Sequence, residues 1–307
     1  MIDGQSVGVR SGESARIERS PSLPKDDRVL AVVVSYNGRA KTRLAVDALR
    51  GQVSDIYIVD NGSDAETLDV LAALEEEGGV SVARLGENKG VGYALNLGVE
   101  RARELGYGWL LTMDQDSVVD AGLMAAYRAA IAVDRDRLCL TPSLVDSGWS
   151  EGAASASVSY AITSGNLVRL DVFDRIGPYD EGFFVDCIDF DFCLRLRRAG
   201  GTVRRVHDAR MRHRLGETAR VPVAVRRFYV LHAPTRRYYM YRNYCYLAER
   251  YLLRFPGFIV KLGLLQLLLM VLIGFLDPRP MESFRAVGKG LADYLGRRRG
   301  PYPEAGR

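Results

Sequence analysis

Two carboxylates flank one residue in Asp114-Gln115-Asp116, directly after the apolar run 109–113. Carboxylates at i and i+2 of an extended turn can meet one hard cation, directly or through water. Mg²⁺ or Mn²⁺ held this way typically also carries substrate phosphates. A solvated acidic turn has the same spacing, so the pattern alone does not decide between the two. A second acidic group lies in Phe183-Phe184-Val185-Asp186-Cys187-Ile188-Asp189-Phe190-Asp191, three carboxylates within six residues of an apolar stretch. On a helix starting here, Asp189 and Asp191 cannot share a face. Asp186 suits a helix cap, and Asp191 suits an ion pair with Arg195 one turn on. Asp189, set among Ile188, Phe190 and Phe192, has the surroundings that raise a carboxyl pKa and suit it to proton abstraction.

Three weaker signals accompany these. Asp60, after Val59 and before Asn61-Gly62, can accept a hydrogen bond from a base or ribose, although Asp-Asn-Gly is also ordinary turn chemistry. Glu87-Asn88-Lys89-Gly90-Val91-Gly92 opens a helix, where glycines admit close backbone approach and Lys89 could meet a phosphate. It is not GxGxxG and follows the third strand rather than the first, which argues against a dinucleotide-binding domain. His213, between Arg212 and Arg214, is either structural or, as a neutral imidazole, able to complete a metal shell.

Several elements must position these groups. Residues 29–34 are apolar at every position, as in a parallel strand buried on both faces. Further strands are expected over 56–59, 80–85 and 109–113, with helices to about 51, from a Ser63–Glu66 capping box to 74, and over 91–105 before Gly106. Asp120 suits the cap of a helix from about 121. This alternation predicts βαβ units, and polar clusters follow three of the strands, the edge where open α/β sheets bind ligands. Beyond 135 the sequence predicts strands over 138–145 and 158–163, and helices over 170–176 and 188–199. A Tyr- and Arg-rich stretch over 226–251 leads to an apolar one over 257–276, broken by Lys261 and Gln266.

The 307 residues, 48% hydrophobic and 26% charged, allow one large α/β domain with an appendage. A formal charge of +4 is too small to argue for nucleic acid, but Arg297-Arg298-Arg299 beside an apolar segment suits an anionic membrane surface. Four cysteines without metal-like spacing read as reduced and structural, hence a cytoplasmic chain. Residues 1–27 are polar and are expected to form a flexible tail.

Ser35-Tyr36-Asn37, Val59-Asp60-Asn61-Gly62-Ser63, Asn88-Lys89-Gly90, Asp114-Gln115-Asp116 and residues 182–200 together resemble family 2 glycosyltransferases of GT-A fold. Within that family the chain is most similar to bacterial rhamnosyltransferases using dTDP-L-rhamnose. The residues carrying this are the DQD motif, Thr163-Ser164-Gly165-Asn166, the Phe-Phe-Val-Asp run and Tyr241-Arg242-Asn243. The resemblance implies a mostly parallel central sheet flanked by helices, a catalytic domain over 28–230 and a helical extension over 231–307. It implies that Asp60 contacts the nucleobase with Tyr36 and Asn37 lining that pocket, and that Asn88 and Lys89 support the nucleotide or sugar. Asp114 and Asp116 would hold Mg²⁺ or Mn²⁺ against the diphosphate, with Gln115 beside them and His213 as a further ligand. Gly165 and Asn166 would face the donor sugar or acceptor, and Asp189 would deprotonate the acceptor hydroxyl. Many members carry Glu before that aspartate; here Ile188 stands in its place, which favours the rhamnosyltransferase-like branch.

The implied reaction is inverting transfer of L-rhamnose to a glycan or lipid-linked glycan in cell-surface polysaccharide synthesis, at the inner face of the bacterial plasma membrane. A UDP-sugar donor (galactofuranose or N-acetylglucosamine) and a non-catalytic nucleotide-sugar binder are the alternatives. The apolar segment 257–276 has the ~20-residue length of a bilayer span. Its interruptions also suit an interfacial helix or one packed in a homo-oligomer.

Overall fold

The computed structural model describes residues 27–134, 138–145, 155–213 and 232–303. The tail expected over 1–27 therefore lies outside the described residues except for Asp27, and so does the stretch 214–231 around the expected domain boundary.

The first half builds the alternation expected of it. Strands β1 (Val29–Ser35), β2 (Asp55–Asp60), β3 (Val80–Arg84) and β4 (Trp109–Asp114) lie parallel in the order β3-β2-β1-β4. Helices α1 (Ala40–Leu49), α2 (Ala65–Glu76) and α3 (Val91–Glu104) connect them. β1 is buried along its whole length, and its side chains alternate between two cores. Leu30, Val32 and Val34 pack with α3 residues such as Leu95 and Val99, whereas Val29, Ala31 and Val33 pack with Val46, Leu49, Leu71 and Leu74 of α1 and α2. Removing such apolar side chains from water contributes about 1.5–3 kcal/mol each, which is why an unbroken β-branched run occupies the sheet's middle.

The second half leaves the parallel pattern. β5 (Ser117–Val119) and α4 (Leu123–Val133) follow β4; then come β6 (Cys139–Leu144), β7 (Ala156–Val158), β8 (Asn166–Arg169), α5 (Val172–Ile176), α6 (Ile188–Arg198) and the long β9 (Val203–His213). The sheet continues β4-β8-β6-β9-β5, with β7 also on β9; β8 is antiparallel to β4 and β6, and β9 runs parallel to β6 but antiparallel to β5 and β7. The strand expected over 158–163 is displaced to Ala156–Val158 and Asn166–Arg169.

Two expected caps move. The N-cap of α2 is Asp64, whose carboxylate accepts from Thr67 N–H at 3.0 Å, while Ser63 Oγ accepts the Asn37 N–H instead. α4 starts after Gly122, and Asp120 contributes only its backbone carbonyl, to Leu123 N–H. All four cysteines are free thiols, three of them buried, as their spacing implied.

Three C-terminal helices, α7 (Pro234–Tyr251), α8 (Pro256–Leu276) and α9 (Pro280–Leu295), each begin with proline, whose fixed φ and missing N–H suit the first helical position. Tyr246, Leu247 and Tyr251 of α7 and Ile259 of α8 join the same core as β1 and α6. α8 buries only the stripe Ile259, Gln266, Leu269 and Ile273 and exposes Val260, Leu264, Leu267, Leu268, Val271 and Phe275. In the basic triplet after α9, Arg297 pairs with Glu249 at 2.6 Å while staying largely exposed, and Arg299 pairs with Asp180 at 2.8 Å.

Candidate active site

The acidic pair sits where β4 ends and the chain turns into β5. β5 pairs antiparallel with the end of β9, in a register that sets Ser117 opposite His213. This brings Asp114, Asp116 and His213 together, with one ligand atom from each lying within 4.8 Å of the others. His213 Nδ1 is 3.7 Å from Asp116 Oδ1 and 2.7 Å from Ser117 Oγ. Behind it, Ser164 Oγ accepts the Asp114 N–H at 3.0 Å and donates to Ser117 Oγ at 2.7 Å, and both serines are fully buried. The two hydroxyls thus fix the first carboxylate's backbone and the imidazole's orientation in one chain of hydrogen bonds. Two carboxylates and an imidazole around one point form a donor set that a divalent cation fits, with positions left for phosphate oxygens. Burial raises the Asp114 carboxyl pKa, and the charge of Asp116 raises it further against the opposing effect of His213.

Asp189 lies in the first turn of α6, after a loop with unusual backbone. Phe184, Asp186 and Cys187 have φ of 66°, 59° and 65°, left-handed values that cost a non-glycine residue of order 1–3 kcal/mol each. The loop is held by α7. Asn243 Nδ2 donates to the carbonyls of Phe183, Val185 and Asp186 at 2.9, 2.6 and 3.1 Å. Arg242 Nη2 reaches those of Gly182 and Phe183 at 3.3 and 3.2 Å, and both side chains are fully buried. Arg242 and Asn243 are therefore the clamp of the loop preceding Asp189, while the Tyr241 hydroxyl donates to the Gln266 carbonyl of α8 at 2.7 Å.

The three neighbouring carboxylates separate as helix geometry requires. Asp191 turns inward, fully buried, and accepts from Arg195 Nε at 2.7 Å, Arg250 Nη1 at 2.6 Å and Tyr251 Oη at 2.8 Å. Asp186 does not cap α6; its backbone is already left-handed at that point, and its carboxylate pairs with Arg236 in the first turn of α7 at 3.0 Å. Among the described residues Asp189 forms no ion pair, and its Oδ1 accepts the Phe190 N–H at 2.8 Å. Burial pushes its carboxyl up to about 7, with the charges of Asp186 and Asp114 adding to the rise. Arg236, half exposed, feels the charges of Asp186, Asp114 and Asp189 together and thus lies close to the acidic cluster, although no motif in the sequence marks it.

The remaining residues line the end of the parallel sheet. Asp60 is buried at the end of β2; its Oδ2 accepts the Ser63 N–H at 3.2 Å, while Oδ1 has no partner among the described residues. Tyr36 is exposed, and its N–H and carbonyl are bridged by the Gln115 amide at 2.7 and 2.9 Å, so Gln115 ties β1's exit to β4's. Asn37 Oδ1 accepts the Asp64 N–H, and Asn88 Oδ1 accepts the Gly90 N–H, each shaping a turn. Lys89 donates its N–H to Asn61 Oδ1 at 2.8 Å, and its half-exposed Nζ lies 3.6 Å from Glu87. Gly90, at φ 89°, lets this loop meet the Asp189 loop: an added Cβ would lie 2.7 Å from the Phe184 carbonyl, which accepts the Val91 N–H. Gly165, at φ 80°, passes against Pro142 and donates its N–H to Thr112, and Asn166 is buried beside it with Oδ1 unpartnered among the described residues.

Residues 30–147 match the family model Glycosyl transferase family 2. The chain is 29% identical over 238 residues to the dTDP-rhamnosyl transferase RfbF of Shigella flexneri, covering 71% of this chain and 79% of that protein. Among solved structures, GalNAc-T7 with UDP, GalNAc and Mn²⁺ superposes with a TM-score of 0.51 at 18% identity, covering 61% of this chain and 43% of that one. S. aureus TarS superposes with a TM-score of 0.52 at 15% identity over 88% of this chain and 43% of that one; its 1–349 fragment in complex with UDP-GlcNAc gives 0.52 at 14%, covering 73% of the fragment. The chain thus spans less than half the length of the first two structures, and at these identities the likeness is one of fold.

Proposed function

We propose that the chain is a family 2 glycosyltransferase of GT-A fold that transfers L-rhamnose from dTDP-L-rhamnose to a glycan acceptor with inversion at the anomeric carbon. The observation that carries this reading is the cluster of Asp114, Asp116 and His213, set close enough to Asp189 for the charge of Asp114 to raise its pKa.

Asp189 takes the proton of an acceptor hydroxyl as that oxygen bonds to the anomeric carbon. The bond from that carbon to the β-phosphate oxygen breaks in the same step, and dTDP leaves with the electron pair. Attack opposite the leaving group inverts the configuration without a covalent sugar–enzyme intermediate. A carboxyl group poised near neutrality suits this task, since it must be ionised before transfer and basic enough to hold the proton afterwards. Asp60 Oδ1, buried without a partner among the described residues, would accept the imino N–H of a thymine or uracil ring, with Tyr36 and Asn37 at the rim. Arg236 and Lys89 offer positive charge to the departing diphosphate. Asp114, Asp116 and His213 would hold the cation, which when bound supplies Lewis-acid stabilisation of that leaving group; an imidazole beside two carboxylates suits Mn²⁺ better than Mg²⁺.

A UDP-sugar donor is the second reading, favoured by the same Asp60 oxygen, because uracil and thymine present the same imino N–H. We further propose peripheral attachment to the inner face of the plasma membrane through the exposed face of α8, a helix long and apolar enough to cross a bilayer by length and composition. The test is a panel of dTDP-rhamnose, UDP-N-acetylglucosamine and UDP-galactofuranose with Mn²⁺, scored by thermal protection and nucleoside diphosphate release. Protection and release confined to dTDP-rhamnose are expected; release from a UDP-sugar alone replaces the donor, and release from none rejects the enzyme reading.

A further inference from the structure

We propose that a second cavity, beside the base and under α8, seats the hydrocarbon chain of a phosphorylated lipid that carries the acceptor sugar. This rests on the sugar-transfer reading and adds to it where the lipid of a lipid-linked acceptor is held.

The cavity has a volume of about 780 Å³, the size of a small-ligand site, and its wall is made by Tyr160, Phe190, Phe255, Phe258, Leu262 and Leu265. Tyr160, Phe190 and Phe258 meet edge to face at centroid separations of 5.1, 5.7 and 5.6 Å, giving a rigid aromatic floor. Phe190 directly follows Asp189 in α6, and the Tyr160 hydroxyl is near enough to Asp189 that its charge, after burial, raises the tyrosine's pKa. Tyr160 and Phe190 therefore set the wall of the slot next to the proposed base, which does not itself line it.

Its polar lining gives the occupant a sign. Arg197 lies across the Phe255 ring at 4.8 Å, Lys261 is exposed at the rim, and the lining includes no carboxylate. Neither cation forms an ion pair with a carboxylate among the described residues. An apolar slot with two cations that meet no carboxylate among the described residues matches a molecule with a long apolar chain and one anionic end. Leu265 belongs both to the wall and to the exposed apolar side of α8, so a chain longer than the slot leaves it along Leu264 and Leu268 rather than into water. A second protein copy would need only the outer face of the helix and would leave the cations and the slot unused.

The test is calorimetric titration of the full chain with farnesyl phosphate, farnesol and inorganic phosphate. Saturable binding of farnesyl phosphate is expected, with farnesol weaker and inorganic phosphate silent. Leu265→Glu, at a partly exposed position that folding tolerates, should weaken farnesyl phosphate by at least ~10-fold because it sets a like charge in an apolar wall. Lys261→Glu should act in the same direction, and Phe275→Gln, on α8 beyond the cavity, should bind like the native chain. Undiminished binding in Leu265→Glu overturns the proposal, as does equal loss in Phe275→Gln, which would mean partition onto the helix surface. Protection by dTDP-rhamnose is read on the same samples. Failure of farnesyl phosphate with donor protection intact rejects the cavity alone, whereas missing donor protection rejects the transfer reading.

Discussion

At the residue scale, the acidic pair was legible because its geometry is local: two residues apart at the end of an apolar strand. His213 was legible only as a histidine of undecided role. What joins it to the pair is the β5–β9 register, across 96 positions of chain, which no spacing reveals. Arg236 was not legible at all, since an arginine among many becomes distinctive only once α7 is seen to open against Asp186. Asp189 was favoured by its apolar neighbours and chosen only through the family resemblance, and its pKa makes that choice testable. A base with a carboxyl near 7 predicts that kcat/KM rises through about pH 7 and then levels; a profile flat from about pH 5 to about pH 8 contradicts this. The same shift has a stability sign. The folded value lies above the ~3.9 of an unfolded chain, so the group's contribution is full below that pH and is lost as pH rises through about 7. Asp189→Asn cannot ionise, so thermal denaturation should show its stability relative to the native chain improving from about pH 5 to about pH 8. Asp60→Asn presents an amide donor where the unpartnered oxygen now stands. Donor affinity should fall ~10–100-fold by calorimetry, in line with losing a charge-assisted hydrogen bond of about 1.5–3 kcal/mol; unchanged affinity would remove Asp60 from the donor pocket.

At the element scale, strands buried on both faces and helices ended by glycine were readable, because an apolar run or a breaker is a property of adjacent residues. Caps were less so. Ser63 and Asp64 are both good N-caps, and the choice fell to Asp64 once Asn37 N–H engaged the Ser63 hydroxyl. β8 and β9 escaped notice for a different reason: β8 spans four residues, and β9 carries arginines and histidines on its half-exposed side, so neither shows a clean apolar period. The Arg242–Asn243 clamp is the element-scale device on which the base depends. Asn243→Ala removes the donor that meets three loop carbonyls and lets the left-handed stretch before α6 relax. We expect ~1–3 kcal/mol lower stability in denaturant melts and reduced kcat with donor affinity retained. Loss of donor affinity in step with kcat would instead mean that the loop shapes the donor pocket.

At the scale of the whole molecule, the three proline-led helices pack on one another and join the core that holds α6, and leave one helix with most of its apolar surface uncovered. The length and hydropathy of α8 were plain in the sequence; which stripe it buries was not, because an almost uniformly apolar helix has no period to read. The pairs of the basic triplet were likewise not readable, because charge on a sequence says nothing about partners, and here Glu249 and Asp180 each pair with one of the three arginines. Attachment through α8 predicts that Leu264→Gln with Leu268→Gln abolishes flotation with anionic vesicles. Arg299→Ala should leave flotation intact and lower the melting temperature instead. If Arg299→Ala releases the protein from vesicles while the leucine pair does not, the attachment is electrostatic and α8 has another role.

The central claim is that Asp189 is the base of a sugar transfer whose donor is held elsewhere, by Asp60 and the Asp114 cluster. The most direct measurement pairs dTDP release with dTDP-rhamnose affinity, in the presence of Mn²⁺, for the native chain and Asp189→Asn. Turnover in the variant should fall ~10²–10⁴-fold, the usual contribution of a general base, with donor affinity nearly unchanged. Turnover that survives the substitution, or affinity that falls as far as turnover, would contradict the account.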